Sequence, residues 1–256
     1  MTAPNKPTII PVKTHKVKLL EVNQETTNVR SFRFSYPHGF DYKPGQFIMI
    51  NLDVIQDGIS KFIKRSYSLS SAPMQEKHIE TIVKLMGAGS KRLFEHMKGD
   101  ELEIAGPYGM FTFQEEVSNE VHGRKLNHIV LLAAGSGITA PLSIARYILD
   151  SSLALKVSFI FSNKTSHDII ARKELEKMTA EHDNFSLYLT VTRPEEDPDW
   201  HGLTGRVDEK LIKAAVHDVS DALFYLCGPA EFVDHCAKLL SSLGVDTKQI
   251  KTEKYE

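Results

Sequence analysis

Cysteine is scarce in this chain of 256 residues, which contains only Cys227 and Cys236. Two thiolates fall short of the roughly four that an iron–sulfur cluster needs, and they offer neither a zinc-site spacing nor a disulfide framework. The eleven histidines are scattered, without a pair at metal-ligand helical spacing. We therefore expect no metal site.

Long hydrophobic runs and a large net charge are also missing. No apolar run approaches the ~20 residues that cross a bilayer, and the N-terminal segment MTAPNKPTIIPVKTHKV lacks the apolar core of a secretory signal. The net charge of −2 disfavours a nucleic-acid partner held by bulk charge. We expect a cytoplasmic monomer without a membrane or nucleic-acid partner, in which residues 1–13 form an extended arm.

The first half of the chain, residues 14–118, has the pattern of an antiparallel β domain. Short β-rich segments alternate with turn residues, and six such segments at these intervals predict a closed barrel. One helix, Ser90 to Met97, interrupts them. The six segments are KVKLLEV, VRSFRF, QFIMINL, RSYSLSS, IETIVKL and DELEIAG.

The second half, residues 119–256, has a different pattern. Continuous apolar runs such as HIVLLAA and LKVSFIFS alternate with helical segments, which predicts a parallel sheet covered by helices on both faces. The charged stretch 114–125 is the expected linker. The sequence therefore predicts two domains, one β and one α/β.

A glycine-rich turn follows the first apolar strand of the second half. Gly135-Ser136-Gly137-Ile138-Thr139-Ala140 fits the G-x-G-x-x-G/A pattern between a strand and a helix. In that context Gly135 permits the tight turn, and Gly137 lets a pyrophosphate approach the backbone. The alternative is an ordinary strand-to-helix turn without a ligand.

The acidic residue that commonly binds the coenzyme ribose is missing, because the second strand ends in Ser162-Asn163-Lys164. Either no dinucleotide binds, or one binds in another pose with a 2′-phosphate near Lys164. Arg193, at the end of the third strand, is a second candidate for that phosphate. Taken alone, each cation is more typical of a solvated surface charge than of a phosphate site.

The last predicted strand ends in Cys227-Gly228-Pro229 at the carboxyl edge of the sheet. Ligands of open α/β sheets bind outside that edge, so Cys227 is placed where a nicotinamide would lie. The alternative for Cys227 is a small buried core residue.

Together these motifs resemble the ferredoxin–NADP⁺ reductase superfamily, in particular the flavin and nucleotide module of oxygenase reductases. The resemblance extends from about residue 14 to the end, with the matching segments in the order of the family. These segments are YKPGQF, RSYSLSS, VKLMGAGSKRL, GPYGMF, AAGSGITAPLS, TRPEEDPDWHGLTGRV and CGPAEF.

The resemblance implies that RSYSLSS is the flavin signature. Arg65 would pair with the pyrophosphate, Tyr67 would pack on the isoalloxazine, and Ser68 would hydrogen-bond near the reactive nitrogen. Strand alternation places Arg65 and Tyr67 on one face and Ser66 and Ser68 on the other, so the strand is expected to twist.

The resemblance also implies a second flavin segment, Gly87 to Ser90, in which Gly89 and the capping hydroxyl of Ser90 face the pyrophosphate. A pyrophosphate favours FAD over FMN. The residues expected to meet the flavin through backbone groups are Val83, Lys84 and Leu85.

For the coenzyme, the resemblance implies a turn formed by Gly135, Ser136, Gly137 and Thr139. It further implies a nicotinamide pocket shaped by Gly228 and Pro229. The chain departs from the family by placing Ala140 before Pro141, which shifts a helix-initiating proline by one residue. At the end of the chain, Glu253 or Tyr255 is expected near the flavin, where it would shield the ring or help a proton move, although a frayed polar tail is an equal alternative.

The implied activity is hydride transfer from NAD(P)H to FAD, followed by electron transfer to a separate acceptor such as ferredoxin or flavodoxin. Ser68, Cys227 and Glu253 are the residues nearest the chemistry, and Asn163, Lys164 and Arg193 favour NADPH, with NADH possible. One alternative is a flavin-binding electron-transfer or sensing subunit without independent turnover. Another is a dehydrogenase without flavin, which would leave the β half unused.

Overall fold

The structure is a computed structural model that describes residues 13–73, 77–114, 120–121 and 123–255. Most of the expected arm, residues 1–13, lies outside this range, as do residues 115–119 around the predicted domain boundary at 118/119. That boundary therefore stays a prediction.

The β half is an antiparallel six-stranded sheet in the order β4-β3-β6-β1-β2-β5. A single bridge between Leu69 and Thr81 joins the end of β4 to β5, so the sheet curls into a half-barrel and closes at that point. All six predicted strands are confirmed. Their bounds are β1 Thr14–Thr26, β2 Val29–Ser35, β3 Phe47–Gln56, β4 Ile59–Ser68, β5 His78–Lys84 and β6 Glu101–Tyr108.

The helix of the half-barrel, α1, spans Ala88–Phe94 rather than Ser90 to Met97. Gly87 is its N-cap, and Ser90 lies in the first turn, where its hydroxyl accepts the N–H groups of Met86 and Gly87. This hydroxyl satisfies amides that precede the helix, and the chain therefore turns into the helix two residues earlier than predicted. The C-terminal end is shorter because Asp100 caps Met97 in the following turn.

The α/β half contains an entirely parallel six-stranded sheet in the order β12-β11-β10-β9-β13-β14. The strands are β9 His128–Ala134, β10 Lys156–Asn163, β11 Phe185–Val191, β12 Leu203–Thr204, β13 Ala222–Pro229 and β14 Ile250–Tyr255. The helices are α2 Thr139–Asp150, α3 Arg172–Glu181, α4 Glu209–Ala215 and α5 Ala230–Ser242.

Helices cover both faces of this sheet, as the continuous apolar runs predict. In β9, Ile129, Leu131 and Ala133 pack in a cluster with α2, α3 and the edge of the half-barrel. Val130 and Leu132 point to the opposite face, where α4 and α5 cover them. Because a strand alternates its side chains, burial on both faces requires apolar residues at every position.

Four of the described strands were not predicted, among them the two-residue strand β12. The predicted linker contains a small antiparallel pair, β7 Glu120–Val121 and β8 Arg124–Lys125, where we expected no strand. The polar segment near the C-terminus is the edge strand β14, paired in parallel with β13, rather than a frayed tail.

No helix in the described ranges is long and apolar enough to cross a membrane. Within the same ranges, no group of three or more His, Cys, Asp or Glu side chains is arranged to hold a metal ion.

Candidate functional site

A cavity lies where the half-barrel meets the carboxyl edge of the parallel sheet. It has a volume of about 710 Å³. The half-barrel contributes Asn28, Lys84 and Met86, and the α/β half contributes the turn at Gly135 and Ser136. The cavity therefore joins the end of β5, just before the second predicted flavin segment, to the predicted dinucleotide turn.

Arg65 and Gly89, predicted to bind the same flavin pyrophosphate, are brought together by the fold. A Cβ atom on Gly89 would lie 2.7 Å from Cγ of Arg65. The Arg65 side chain is exposed, and its Nη1 donates to the Lys64 carbonyl at 2.9 Å. The missing side chain at position 89 lets the arginine stem lie across α1, so the guanidinium can meet an anion there.

Tyr67 lies against the core of the half-barrel on the same face of β4 as Arg65, and burial raises its pKa to about 12. β4 pairs with β3 without interruption through Phe47 and Ser68, so Ser66 and Ser68 keep the opposite face. The expected twist therefore does not come from a register break in this strand pair, and the role of Ser68 stays a prediction.

Val83, Lys84 and Leu85 form the end of β5 and the residue that follows it. Beyond the bridge at Thr81, β5 pairs only with β2 among the described strands. The Leu85 amide donates to the carbonyl of Asn28, so that amide has a partner within the protein. Lys84 lines the cavity.

The glycine turn forms a short 3₁₀ segment, Gly135–Ile138, between β9 and α2. Gly135 has a φ of 53°, in the left-handed region, as a tight turn requires. A Cβ atom on Gly137 would lie 2.5 Å from the Cys227 carbonyl oxygen. The structure thus gives Gly137 a packing reason, namely close contact with the end of β13, besides the predicted approach of a pyrophosphate.

Tyr255 of β14 reaches into this turn. Its hydroxyl accepts the Gly137 amide at 3.0 Å and donates to the Ala134 carbonyl at 2.9 Å. Gly137 therefore presents its amide to a tyrosine, which the local sequence motif does not indicate.

Thr139 begins α2, and its hydroxyl donates to Ser136 at 2.9 Å while facing the Ile82 carbonyl of β5 at 3.4 Å. This side chain faces the half-barrel, in the direction predicted for a flavin–nicotinamide junction. Pro141 occupies the third position of the helix, where a missing N–H costs no intrahelical hydrogen bond. The shifted proline is therefore accommodated.

Cys227 and Glu253 are neighbours on paired strands, with Sγ 3.9 Å from Oε2. Burial and, to a smaller extent, Glu253 raise the pKa of the Cys227 thiol. Burial also raises the pKa of Glu253, partly offset by the hydrogen bond from Cys227. A neutral thiol is a poor nucleophile, so the arrangement suits packing beside a ligand rather than covalent catalysis.

Gly228 and Pro229, the last two residues of β13, have different surroundings. A Cβ on Gly228 would lie 3.0 Å from the Phe232 ring and 3.2 Å from Cβ of Ala134. Pro229 is exposed and lines the cavity.

Asn163 carries the clearest sign of an external ligand. Its side chain is only 5% exposed, and it lines the cavity. Neither Oδ1 nor Nδ2 has a hydrogen-bond partner in the described part of the chain. Buried amides in native structures are nearly always paired, so this one fits a bound group that both donates and accepts, such as a ribose hydroxyl.

Charged residues surround Asn163. Lys164 and Arg193 line the cavity as predicted, and Arg193 also pairs with Glu196 at 3.1 Å. Three further charged residues line the cavity without having been predicted: Asp168, Arg206 and Glu231. Arg206 lies two residues after β12, a strand that was not predicted, and Asp168 lies five residues after β10, so neither had a recognisable spacing.

The sequence analysis also missed a polar contact between the two halves, which we call the interdomain seam. The half-barrel contributes Ser70, Ser71 and Glu80. Thr139, Ser143 and Arg146 belong to α2. An isolated Glu in β5 and an isolated Arg in a helix are ordinary surface residues by sequence.

Two family models match this chain: the oxidoreductase FAD-binding domain over residues 16–113 and the oxidoreductase NAD-binding domain over residues 131–238. NADH-cytochrome b5 reductase 1 of Lodderomyces elongisporus is 32% identical over 248 residues, covering 94% of this chain and 78% of that protein. The chain belongs to the ferredoxin–NADP⁺ reductase superfamily. The predicted family and the predicted pair of FAD and nicotinamide-dinucleotide domains are thereby confirmed.

A second relative in the superfamily is the glycine betaine monooxygenase reductase subunit of Pseudomonas aeruginosa. It is 30% identical over 246 residues, which cover 94% of this chain and 64% of that protein. The chain thus spans about two thirds of the length of this relative.

Solved structures of the superfamily share the fold. The cytochrome b5 reductase domain of Ulva prolifera nitrate reductase superposes with a TM-score of 0.81 at 22% identity, covering 97% of this chain and all of that domain. A ferredoxin NADP⁺ reductase from Neisseria gonorrhoeae gives 0.77 at 24% identity, covering 94% and 98%. These likenesses confirm the predicted two-domain fold of a curled antiparallel sheet and a parallel α/β sheet.

The residues in place fit both groups that the superfamily binds. Arg65 beside Gly89 offers a cation over a glycine at the edge of the half-barrel. The unpaired amide of Asn163 lines the cavity, together with cationic side chains that suit phosphate groups.

Proposed function

We propose that this protein is an FAD-dependent NAD(P)H reductase that passes electrons to a separate acceptor. The observation that carries the proposal is the cavity of about 710 Å³, whose walls combine the end of β5, the glycine turn and the unpaired Asn163 amide. A cavity shared by both halves allows two ligands, one held by each half, to meet.

The half-barrel would hold FAD. Arg65 supplies a guanidinium fork to the pyrophosphate, Gly89 leaves room for it, and Ser90 keeps the loop before α1 in shape. Tyr67 offers its ring to the flavin. Backbone groups are offered by Val83, Lys84 and Leu85. Ser68 is proposed to hydrogen-bond the flavin.

The α/β half would hold the nicotinamide coenzyme. Gly135, Ser136 and Thr139 shape the turn, and Asn163 bonds the ribose. Gly228 and Pro229, with the neutral thiol of Cys227, form the floor under the nicotinamide. When bound, the two groups supply the redox chemistry, since reduced nicotinamide donates a hydride and flavin accepts it.

Glu253 is proposed to hold a proton near that floor. Its pKa is raised, so the carboxyl retains a proton at a higher pH than an ordinary glutamate does. The Cys227 thiol donates to this carboxyl at 3.9 Å. This arrangement supports a proton held in the protein rather than in bulk water.

A preference for NADPH remains our prediction on grounds of charge. Four cationic side chains line the cavity against two carboxylates, and the carboxylates are Asp168 and Glu231. Glu231 is paired with Arg206 at 3.0 Å. Because the Lodderomyces relative is named an NADH reductase, the ratio of catalytic efficiencies with NADPH and NADH decides the preference.

The acceptor is proposed to be a separate protein. The two relatives are named for a glycine betaine monooxygenase and for cytochrome b5, so both an oxygenase component and a haem protein join ferredoxin and flavodoxin as acceptor classes. The cytoplasmic location and the monomeric state stay predictions.

The test is anaerobic mixing of the purified yellow protein with excess NADPH or NADH. Rapid loss of flavin absorbance near its visible maximum supports the proposal, and unchanged absorbance with both coenzymes contradicts it. Steady-state reduction of an artificial acceptor by the isolated chain then separates an independent reductase from the alternative, a flavin-binding electron-transfer or sensing subunit without turnover.

A further inference from the structure

Arg146 of α2 is the centre of the interdomain seam. Its Nε and Nη2 each donate to Glu174 of α3 at 2.7 Å, and its Nη1 donates to both Glu80 of β5 and the Ser70 carbonyl at 2.8 Å. The side chain is only 12% exposed. One guanidinium therefore ties three segments together, two of them in the half-barrel.

Glu80 is the matching group in the half-barrel. Its side chain is 3% exposed, and it accepts hydrogen bonds from Arg146, from Arg33 at 2.6 Å and from the Ser70 hydroxyl at 2.8 Å. Its own amide donates to the Ser71 hydroxyl at 3.0 Å. Arg146 and Glu80 are thus fully committed to each other and to neighbours in the protein, and neither lines the cavity.

The flavin strand runs directly into this contact. β4 ends at Ser68, and Ser70 and Ser71 follow it, both fully buried. The Ser71 carbonyl accepts the Ser143 hydroxyl of α2 at 2.6 Å. Ser70 and Ser71 therefore meet α2 through their carbonyls, while their hydroxyls hold Glu80 in place rather than a ligand.

The nucleotide turn is joined to the same contact through a rigid helix. Thr139 begins α2 immediately after the turn, and Arg146 lies seven residues later. At 1.5 Å per residue, the two are about 10 Å apart along the helix axis. A shift of α2 against the half-barrel would therefore move the turn by a comparable amount.

We propose that Arg146 is a positioning residue that sets the approach of the nucleotide turn to the flavin strand. The inference rests on the proposed function, because it assigns Arg146 to the hydride-transfer geometry. Hydride transfer requires the reacting atoms within about 3–3.5 Å, so a displacement of 1 Å slows it by about a hundredfold.

The chemistry of the contact favours a role in orienting the two halves over a role in merely holding them together. A buried ion pair adds little net stability compared with apolar residues of the same volume, but its directional hydrogen bonds permit only one alignment. The bidentate arrangement of Arg146 on Glu174, with the third nitrogen on Glu80, admits a single orientation of the guanidinium. Apolar contacts between the halves would allow sliding.

The experiment compares wild type with Arg146→Ala and Arg146→Lys as flavin-loaded proteins. The readouts are the rate of flavin reduction at saturating NADPH or NADH, the dissociation constant for oxidised coenzyme, the flavin content, and amide hydrogen exchange of the nucleotide-free protein. Arg124→Ala is the matched control, because Arg124 also pairs with one carboxylate, Asp221 at 3.2 Å, but is exposed and remote from the cavity.

For Arg146→Ala we expect a 10- to 100-fold slower reduction rate, with the dissociation constant within threefold and flavin content unchanged. Lysine should recover part of the rate, since it keeps the charge but not the fork. Exchange should rise in β5 and α2 and stay constant in β1 and β10. A reduction rate within twofold of wild type, or a slower rate explained in full by lost flavin or weaker coenzyme binding, would overturn the proposal.

Arg146→Ala leaves two carboxylates without their partner, which destabilises the fold. A second variant therefore tests the proposal in a protein without these unpaired carboxylates. Arg146→Met combined with Glu80→Gln and Glu174→Gln removes the guanidinium and both of its carboxylate partners and keeps the volume, while Arg33 retains its pair with Glu21 at 2.8 Å. It should fold, bind flavin and show the same slow reduction; reduction at the wild-type rate would overturn the proposal. If wild type itself shows no reduction, the proposed function fails, and unchanged exchange in Arg146→Ala would separately overturn the role of Arg146.

Discussion

Replacing Glu80 by glutamine is expected to change how the stability of the protein depends on pH. Burial opposes ionisation of Glu80, but the charge and hydrogen bonds of Arg146, with those of Arg33 and Ser70, outweigh it and lower the pKa from 4.5 to about 2. Each pKa unit corresponds to about 1.4 kcal/mol, so the ionised carboxylate stabilises the folded state by roughly 3 kcal/mol.

The sign follows from the folded pKa lying below the unfolded one. The contribution of Glu80 is fully present above about pH 5 and is lost as the pH falls from about 4.5 towards about 2. Roughly 1 kcal/mol of it is gone at pH 4. Glutamine cannot ionise, so the variant lacks this part of the pH dependence at every pH.

The measurement is urea unfolding followed by circular dichroism, for wild type and Glu80→Gln, at pH 7 and pH 4. We expect the variant to be less stable by roughly 3 kcal/mol at pH 7, with the difference about 1 kcal/mol smaller at pH 4. Comparing the two proteins at each pH cancels the titration of all other groups. Glu209→Gln, which disrupts only the exposed pair with Lys213, is the control, with an effect below about 1 kcal/mol. An equal difference for Glu80→Gln at both pH values would refute the assigned cause.

Three further predictions concern residues of the candidate site. Arg65→Ala is expected to weaken FAD binding about 10- to 100-fold, because a charge-assisted hydrogen bond worth about 1.5–3 kcal/mol is lost; full retention of tightly bound flavin would contradict the assignment. Lys164→Ala and Arg193→Ala should raise the KM for NADPH more than that for NADH, and an equal rise would remove the case for a 2′-phosphate site. Gly137→Ala should cost about 1–3 kcal/mol of stability in thermal unfolding, since its Cβ would overlap the Cys227 carbonyl at 2.5 Å; a variant as stable as wild type would contradict that packing.

Local patterns predicted the elements that depend on nearby residues. The six barrel strands followed from β-rich segments between turn residues, and the parallel strands followed from continuous apolar runs. The turn at Gly135 followed from its place between a strand and a helix, and its positive φ agrees. In each case the sequence signal lies within about ten residues along the chain, although the strands pair with more distant ones.

Features that depend on distant partners were not predictable. β14 is polar and short, and its only sheet neighbour among the described strands is β13, more than twenty residues away, so neither composition nor periodicity marked it. Glu80 lies in a strand buried on both faces because the α/β half covers its outer side. From the sequence alone, a charged residue at such a position is interpreted as exposed, because the sequence does not show its buried partner.

Some residues of the candidate site were also not predictable, because distant parts of the chain bring them to the cavity. Asn163 and Lys164 could be selected from the end of β10, whereas Asp168 and Arg206 reach the cavity only through the path of the loops. Tyr255 is the extreme case, since its hydroxyl meets an amide 118 positions away.

The division of the interdomain seam between two separately matched domains limits how such proteins can be recombined. One half brings Glu80 and Ser70, and the other brings Arg146 and Ser143. A chimera that joins this β half to the nucleotide half of a homologue inherits a correct junction only when the incoming helix carries both donors. When whole halves are exchanged to change coenzyme specificity, the incoming half should therefore carry an arginine and a serine at the positions of Arg146 and Ser143.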